Sequence, residues 1–159
     1  MSSTEKLFRC SPEQIFSVLS DGWSFASWVV GASRIRDVDS TWPAKDSKIH
    51  HSVGSWPFLL DDTTSVADID APRSLTLRAR AWPFGEAHVV LECEPAGEGV
   101  TRVTMHEESA SGPAKLLPQF LVDPILHARN AEALRRLAYL AEHGAAGTSR
   151  SSGKHPDER

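Results

Sequence analysis

Apolar and polar residues alternate through the middle of the chain and give way to helical spacing on either side of it. The alternation is cleanest between residues 74 and 108. There Leu75, Leu77 and Ala79 oppose Thr76, Arg78 and Arg80; Val89, Leu91 and Cys93 oppose His88, Glu92 and Glu94; Val103 and Met105 oppose Arg102, Thr104 and His106. A period of two sets each apolar row on one face of a strand, so these segments predict an antiparallel sheet with one buried and one wet face. Six strands are predicted, over residues 33–38, 47–53, 59–69, 74–82, 87–94 and 100–108. Turn-forming stretches separate them, among them Trp42-Pro43, Ala71-Pro72, Pro83-Phe84-Gly85 and Pro95 to Gly99. Residues 5–9 suit one further strand.

Helical signals flank this block. Ser11-Pro12-Glu13-Gln14 combines an N-cap, a proline at the first helical position and a capping-box partner. It predicts a short helix with Ile15, Phe16, Val18 and Leu19 as its buried stripe and Asp21-Gly22 as its stop. Residues 23–30 predict a second, brief helical turn. Gly112-Pro113 opens a helical region that Pro118 and Pro124 interrupt, and residues 125–143 form its longest pattern. Leu126, Ala133, Leu134, Leu137, Ala138 and Ala141 share one side of it, while Arg129, Glu132, Arg135, Arg136 and Glu142 make a charged outer side. Such a stripe needs a surface to cover, and the inner face of the sheet is the only large one left. The proline breaks would let the start of this helix move as a lid.

The 159 residues predict one domain, with enough chain to bury roughly 70% of its unfolded surface without metals or disulfides. Hydrophobic residues at 40% and charged residues at 24% are ordinary for a globular chain. No apolar run approaches the roughly 20 residues of a membrane span. The opening Met1 to Lys6 offers no apolar core of a secretory signal, which predicts a cytoplasmic location without membrane insertion. From residue 144 onward there is no Val, Ile, Leu, Met, Phe, Trp or Tyr. The expected organisation is therefore a folded domain over 1–143 and a disordered tail over 144–159.

Charge and motifs exclude several kinds of chemistry. A net charge of -4 has the wrong sign for a nucleic-acid binder. Cys10 and Cys93 lack any CxxC or nearby Cys/His partner and read as reduced thiols, Cys93 as a packed strand residue. His88, His106, His127 and His143 show no metal-ligand spacing, and the adjacent His50 and His51 point to opposite faces of a strand, so neither metal nor cofactor is expected. Neither GxSxG nor GxGxxG occurs. Asp61-Asp62 and the pair Asp68 and Asp70 read as solvated acids, and Arg129-Asn130 as a helix-surface charge beside a packed amide, with a reach down from the closing helix toward the sheet as the alternative.

Two residues stand out against this background. Glu107 continues the inward row after Val103 and Met105, and His51 lies in register with Ile49 and Val53. An inward carboxylate is costly unless it is paired, hydrogen-bonded or neutral. A structural pairing is the favoured reading of His51 and Glu107, and an acid/base pair the alternative, with these two as the catalytic candidates.

The element order is strand, two short helices, six strands and a long closing helix. It resembles the α+β helix-grip fold of the SRPBCC superfamily, which includes START-related lipid-binding domains and the polyketide cyclase/dehydrase group. The segments that carry the resemblance are Ser11 to Leu19, Trp28 to Arg36, His51-Ser52-Val53-Gly54, Thr101 to Met105, Gly112-Pro113 and Arg129 to Leu137. The resemblance implies a seven-stranded antiparallel sheet curved around the closing helix, with a ligand cavity between them. It implies an apolar or amphipathic small-molecule partner, lipid-like or polyketide-like. Expected on the cavity wall from the strands are His51, Leu77, Leu91, Met105 and Glu107. Trp28 and Trp56 are expected near its mouth, and Leu117 and Phe120 in the segment leading into the helix. The five Trp residues all fall between Trp23 and Trp82, in or beside turns and strand ends; structural packing is expected for most of them, with one or two at that mouth. Binding of a hydrophobic ligand is the leading expectation. A cyclase or aromatase activity and a protein-interaction module are the alternatives on the same fold.

Overall fold

Ser11 starts the first helix as the sequence requires. In the computed structural model, which describes residues 2–55, 57–81, 85–111 and 118–148, its side chain accepts from the Gln14 amide while the Gln14 side chain accepts from the Ser11 amide. Two otherwise orphaned amides of helix α1 (Pro12–Leu19) are satisfied in this way. The helix buries Ile15, Phe16 and Leu19. A single 3-10 turn (Gly22–Ser24) and a one-turn helix α2 (Phe25–Trp28) follow and bury Phe25 and Trp28. Gly22 permits this packing, because a Cβ there would stand 2.6 Å from Val38 Cγ1.

The strands are β1 (Ser2–Phe8), β2 (Ala32–Val38), β3 (Lys48–Ser55), β4 (Phe58–Asp70), β5 (Ser74–Ala81), β6 (Gly85–Pro95) and β7 (Thr101–Ser111). They form one antiparallel sheet in the order β1-β7-β6-β5-β4-β3-β2. The consecutive strands β2 to β7 are neighbours through hairpins, and only β1 joins from far away in sequence, its Ser2 opposite Glu107 and its Phe8 opposite Thr101. The middle strands lie within two residues of their predicted bounds; the last runs on to Ser111, three residues past its expected end, and the first also differs. That strand begins at Ser2 rather than residue 5, and its Ser2 and Thr4 are buried although polar.

Helix α3 (Gln119–Thr148) crosses the concave face. Leu134 and Leu137 are fully buried there with Ala133, Ala138 and Ala141, against Phe8, Ile49, Val66, Leu75, Leu91 and Val103 from the sheet. Burying a Leu side chain contributes about 1.5–3 kcal/mol, so the stripe read from the sequence is the main attachment of this helix. Two of its boundaries differ from expectation. Pro124 lies inside the helix rather than interrupting it: one intrahelical donor is lost, and the other bonds of the 30-residue helix carry it past that point. At the other end the helix runs past Gly144 to Thr148. The remainder of the expected tail, 149–159, lies outside the described residues.

Polar contacts pin α3 to its surroundings. Glu142 Oε1 accepts from the Arg9 amide at 2.8 Å just beyond β1, and Thr4 Oγ1 meets His127 Nδ1 at 3.1 Å. On the outer side Glu132 binds both Arg135 and Arg136, the latter at 2.8 Å and four residues along the helix. Among the described residues no helix is long and apolar enough to cross a membrane.

Candidate functional site

Between α3 and the middle of the sheet the packing opens into a cavity of about 170 Å³. Its walls are mainly apolar: Phe25, Trp28 and Val29 from the α2 region, Leu77 and Val89 from β5 and β6, Met105 from β7 and Ala133 from α3. The alternation of the strands explains the lining, since Leu77, Val89 and Met105 belong to the inward rows read from the sequence. The small Ala79, Ala87 and Ala133 leave space that larger residues fill elsewhere in the core.

Several polar groups interrupt the apolar wall. His51 is buried, and its Nε2 lies 2.9 Å from Thr64 Oγ1 on the neighbouring strand. Burial first, then the nearby charges of Arg36 and His50, pull its imidazole down from 6.5 to about 4, so the ring is neutral at pH 7. Glu107, on β7, is buried and accepts from Arg129 through Oε1. Asn130 is buried beside Arg129 on the same turn of α3. Asp62 is buried in β4 and accepts from the Thr63 amide at 2.7 Å. Among the described residues, His51 Nδ1, Glu107 Oε2 and Asn130 Nδ2 have no hydrogen-bond partner. His51 and Glu107 share the cavity but are held by different neighbours, Thr64 and Arg129, and no ion pair joins them.

Of the expected wall residues, Trp28, His51, Leu77, Met105 and Glu107 line the cavity. Leu91 does not: it is fully buried one step deeper, opposite Leu75 and Met105, where the inward row becomes solid core. Phe120 is 75% exposed in the first turn of α3, before the helix reaches the sheet. Trp56 and Leu117 lie outside the described residues, as does Trp82. The Trp residues are thus not one set. Trp28 lines the cavity, Trp42 packs on the core with its Nε1 donating to the Leu19 carbonyl, and Trp23 is exposed.

Two readings of the sequence are corrected. Arg129 is not merely an outer-surface charge, since it turns inward to Glu107 and lines the cavity with Asn130. The long guanidinium arm permits this from a helix edge that periodicity assigns to the polar side. Asp62 is a mid-strand residue with a buried side chain, not a solvated turn acid; it shares the inward parity of Thr64 and Val66, a signal that the neighbouring Asp61 obscured. Asp61 itself is exposed and pairs with Arg36. Among the described residues no His, Cys, Asp and Glu group has the arrangement of a metal site.

The family model described as polyketide cyclase/dehydrase and lipid transport matches residues 2–142. No curated protein matches the chain. Among solved structures, a Nitrosomonas europaea protein superposes with a TM-score of 0.70 at 14% identity, covering 91% of this chain and 95% of its own. The Zhui aromatase/cyclase of a Streptomyces species gives 0.67 at 12% identity, covering 96% and 97%. A conserved protein of Geobacillus kaustophilus gives 0.66 at 14% identity, covering 87% and 93%. Likeness at these identities is a likeness of fold.

Proposed function

The chain belongs to the polyketide cyclase/dehydrase and lipid-transport family, and on that footing we propose that its cavity holds a small, largely apolar ligand that carries a polar group. The supporting observation is an apolar wall under α3 with a few convergent polar side chains, His51, Glu107 and Asn130 among them, which is the usual make-up of a small-molecule site. The size narrows the choice. A cavity of about 150 Å³ lined by apolar side chains takes up benzene, so about 170 Å³ suits one aromatic ring or a short acyl chain.

Thermal shift and calorimetry with small aromatic probes test this reading. The unmodified protein is expected to gain about 2.7 kcal/mol at a hundredfold excess of probe over its Kd. Ala133→Phe, which fills the cavity, is expected to fold and lose the response. A panel that shifts neither protein, with xenon failing to enter the unmodified one, would overturn the reading.

A second reading, acid–base catalysis on a ligand that cyclises or dehydrates, draws on His51 and Glu107 facing the same cavity. It ranks below binding because an imidazole held at about 4 is a weak base at neutral pH. Unchanged turnover of every candidate substrate by Glu107→Gln and His51→Ala would remove it.

A further inference from the structure

Three unpartnered polar atoms belong to side chains around this one cavity: Glu107 Oε2, Asn130 Nδ2 and His51 Nδ1. Their residues are 6%, 3% and 4% exposed. Each buried polar group left unmet costs about 1–3 kcal/mol, so the unmet atoms describe the inverse of what fits there. An ionised carboxylate oxygen only accepts and an amide nitrogen only donates. The charges around them are already spent: of the cations on the wall, Arg129 is bound to Glu107 and Arg80 faces Glu86 at 3.6 Å.

We propose that Glu107, clamped by Arg129 through one oxygen and open at the other, makes the cavity a receptor for neutral ligands that bring a hydroxyl donor, and a filter against carboxylates. A ligand hydroxyl donates to Oε2, and an oxygen on the same ligand accepts from Asn130 Nδ2. A ligand carboxylate in the same place sets an acceptor against an acceptor and a negative charge against Glu107. The neutral imidazole of His51 supplies no compensating charge. The inference rests on the ligand-binding reading and adds to it the charge and hydrogen-bonding class of the ligand.

Calorimetry with four one-ring probes tests it: meta-hydroxyacetophenone, meta-methoxyacetophenone, meta-hydroxybenzoate and toluene. On the unmodified protein the hydroxy ketone is expected to bind about tenfold or more tighter than its methyl ether and than the benzoate. Glu107→Gln frees the Arg129 charge and is expected to raise benzoate affinity by about tenfold. Asn130→Leu is expected to weaken the hydroxy ketone relative to toluene by about tenfold. If toluene binds and the three polar probes rank equally, or the benzoate binds tightest, the charge filter is overturned and the binding reading stands. If no probe binds, both fall. The ranking on the unmodified protein decides the matter should Glu107→Gln fail to fold.

Discussion

Arg129 on α3 donates to Glu107 on β7 across the edge of the cavity, and the two ends of the pair sit in different surroundings: the carboxylate side chain is 7% exposed, the guanidinium 41%. The buried end depends on the exposed one. A carboxylate in a low-dielectric wall is costly unless an opposite charge or donors meet it.

Removing the cation alone therefore costs more than removing both charges. Arg129→Met is expected to destabilise the protein by about 2–3 kcal/mol, less than the roughly 3–5 kcal/mol of a fully buried pair because the Arg129 side chain is part solvated. Adding Glu107→Gln to it is expected to restore a share of that loss. Urea unfolding of both single variants and the double variant gives the coupling directly, and equal, additive costs would contradict the dependence.

Acid weakens the native state through His51. The folded protein holds this imidazole at about 4 while the unfolded chain takes up the proton near 6.5. In that window the unfolded state binds more protons, so stability is complete above it and falls as pH drops through it. His51→Gln is expected to flatten this stretch of a Tm-against-pH curve. Parallel curves for the two proteins would exclude His51 as the source.

Cys10 and Cys93 are expected to resist alkylation while the protein is folded. Both are buried, and burial, the largest cause for each, pushes their thiols up to about 11 and about 12, so almost no thiolate exists at pH 8. Iodoacetamide labelling followed by mass spectrometry should label neither in native buffer and both in urea.

The cap of α1 is open to a clean test. Ser11→Ala removes a side-chain acceptor from a formed capping box and is expected to cost about 1 kcal/mol in urea unfolding without affecting probe binding. Gln14→Ala, which removes the reciprocal bond, is expected to act in the same direction.

Where local rules dominate, the sequence was easy to read. The rows Leu75 and Leu77, Leu91 and Cys93, and Val103 and Met105 are all buried as their alternation demands, and the same parity carries His51 and Glu107 inward. Long-range facts were not accessible in this way. Ser2 and Thr4 look like a polar leader, and only pairing with β7 beneath α3 makes them buried strand residues. The inward turn of Arg129 depends on Glu107 lying across the cavity, which helical periodicity cannot register. Leu91 and Met105 sit opposite each other in the same inward row, yet only Met105 reaches the cavity, because the depth at which α3 meets the sheet decides the difference.

The pairing of β1 with β7 also bears on how the protein comes to be folded. Ser2 and Glu107 are partners separated by about a hundred residues of chain, whereas the other strand pairs close through hairpins. Loop closure over such a span is entropically slow, and contacts of this range set the pace of folding. On a ribosome the first strand must wait, unpaired, until nearly the whole domain has been made. The strand that carries Glu107 is held on both sides, by β1 and by β6, and its amides should exchange with solvent only when the whole molecule opens.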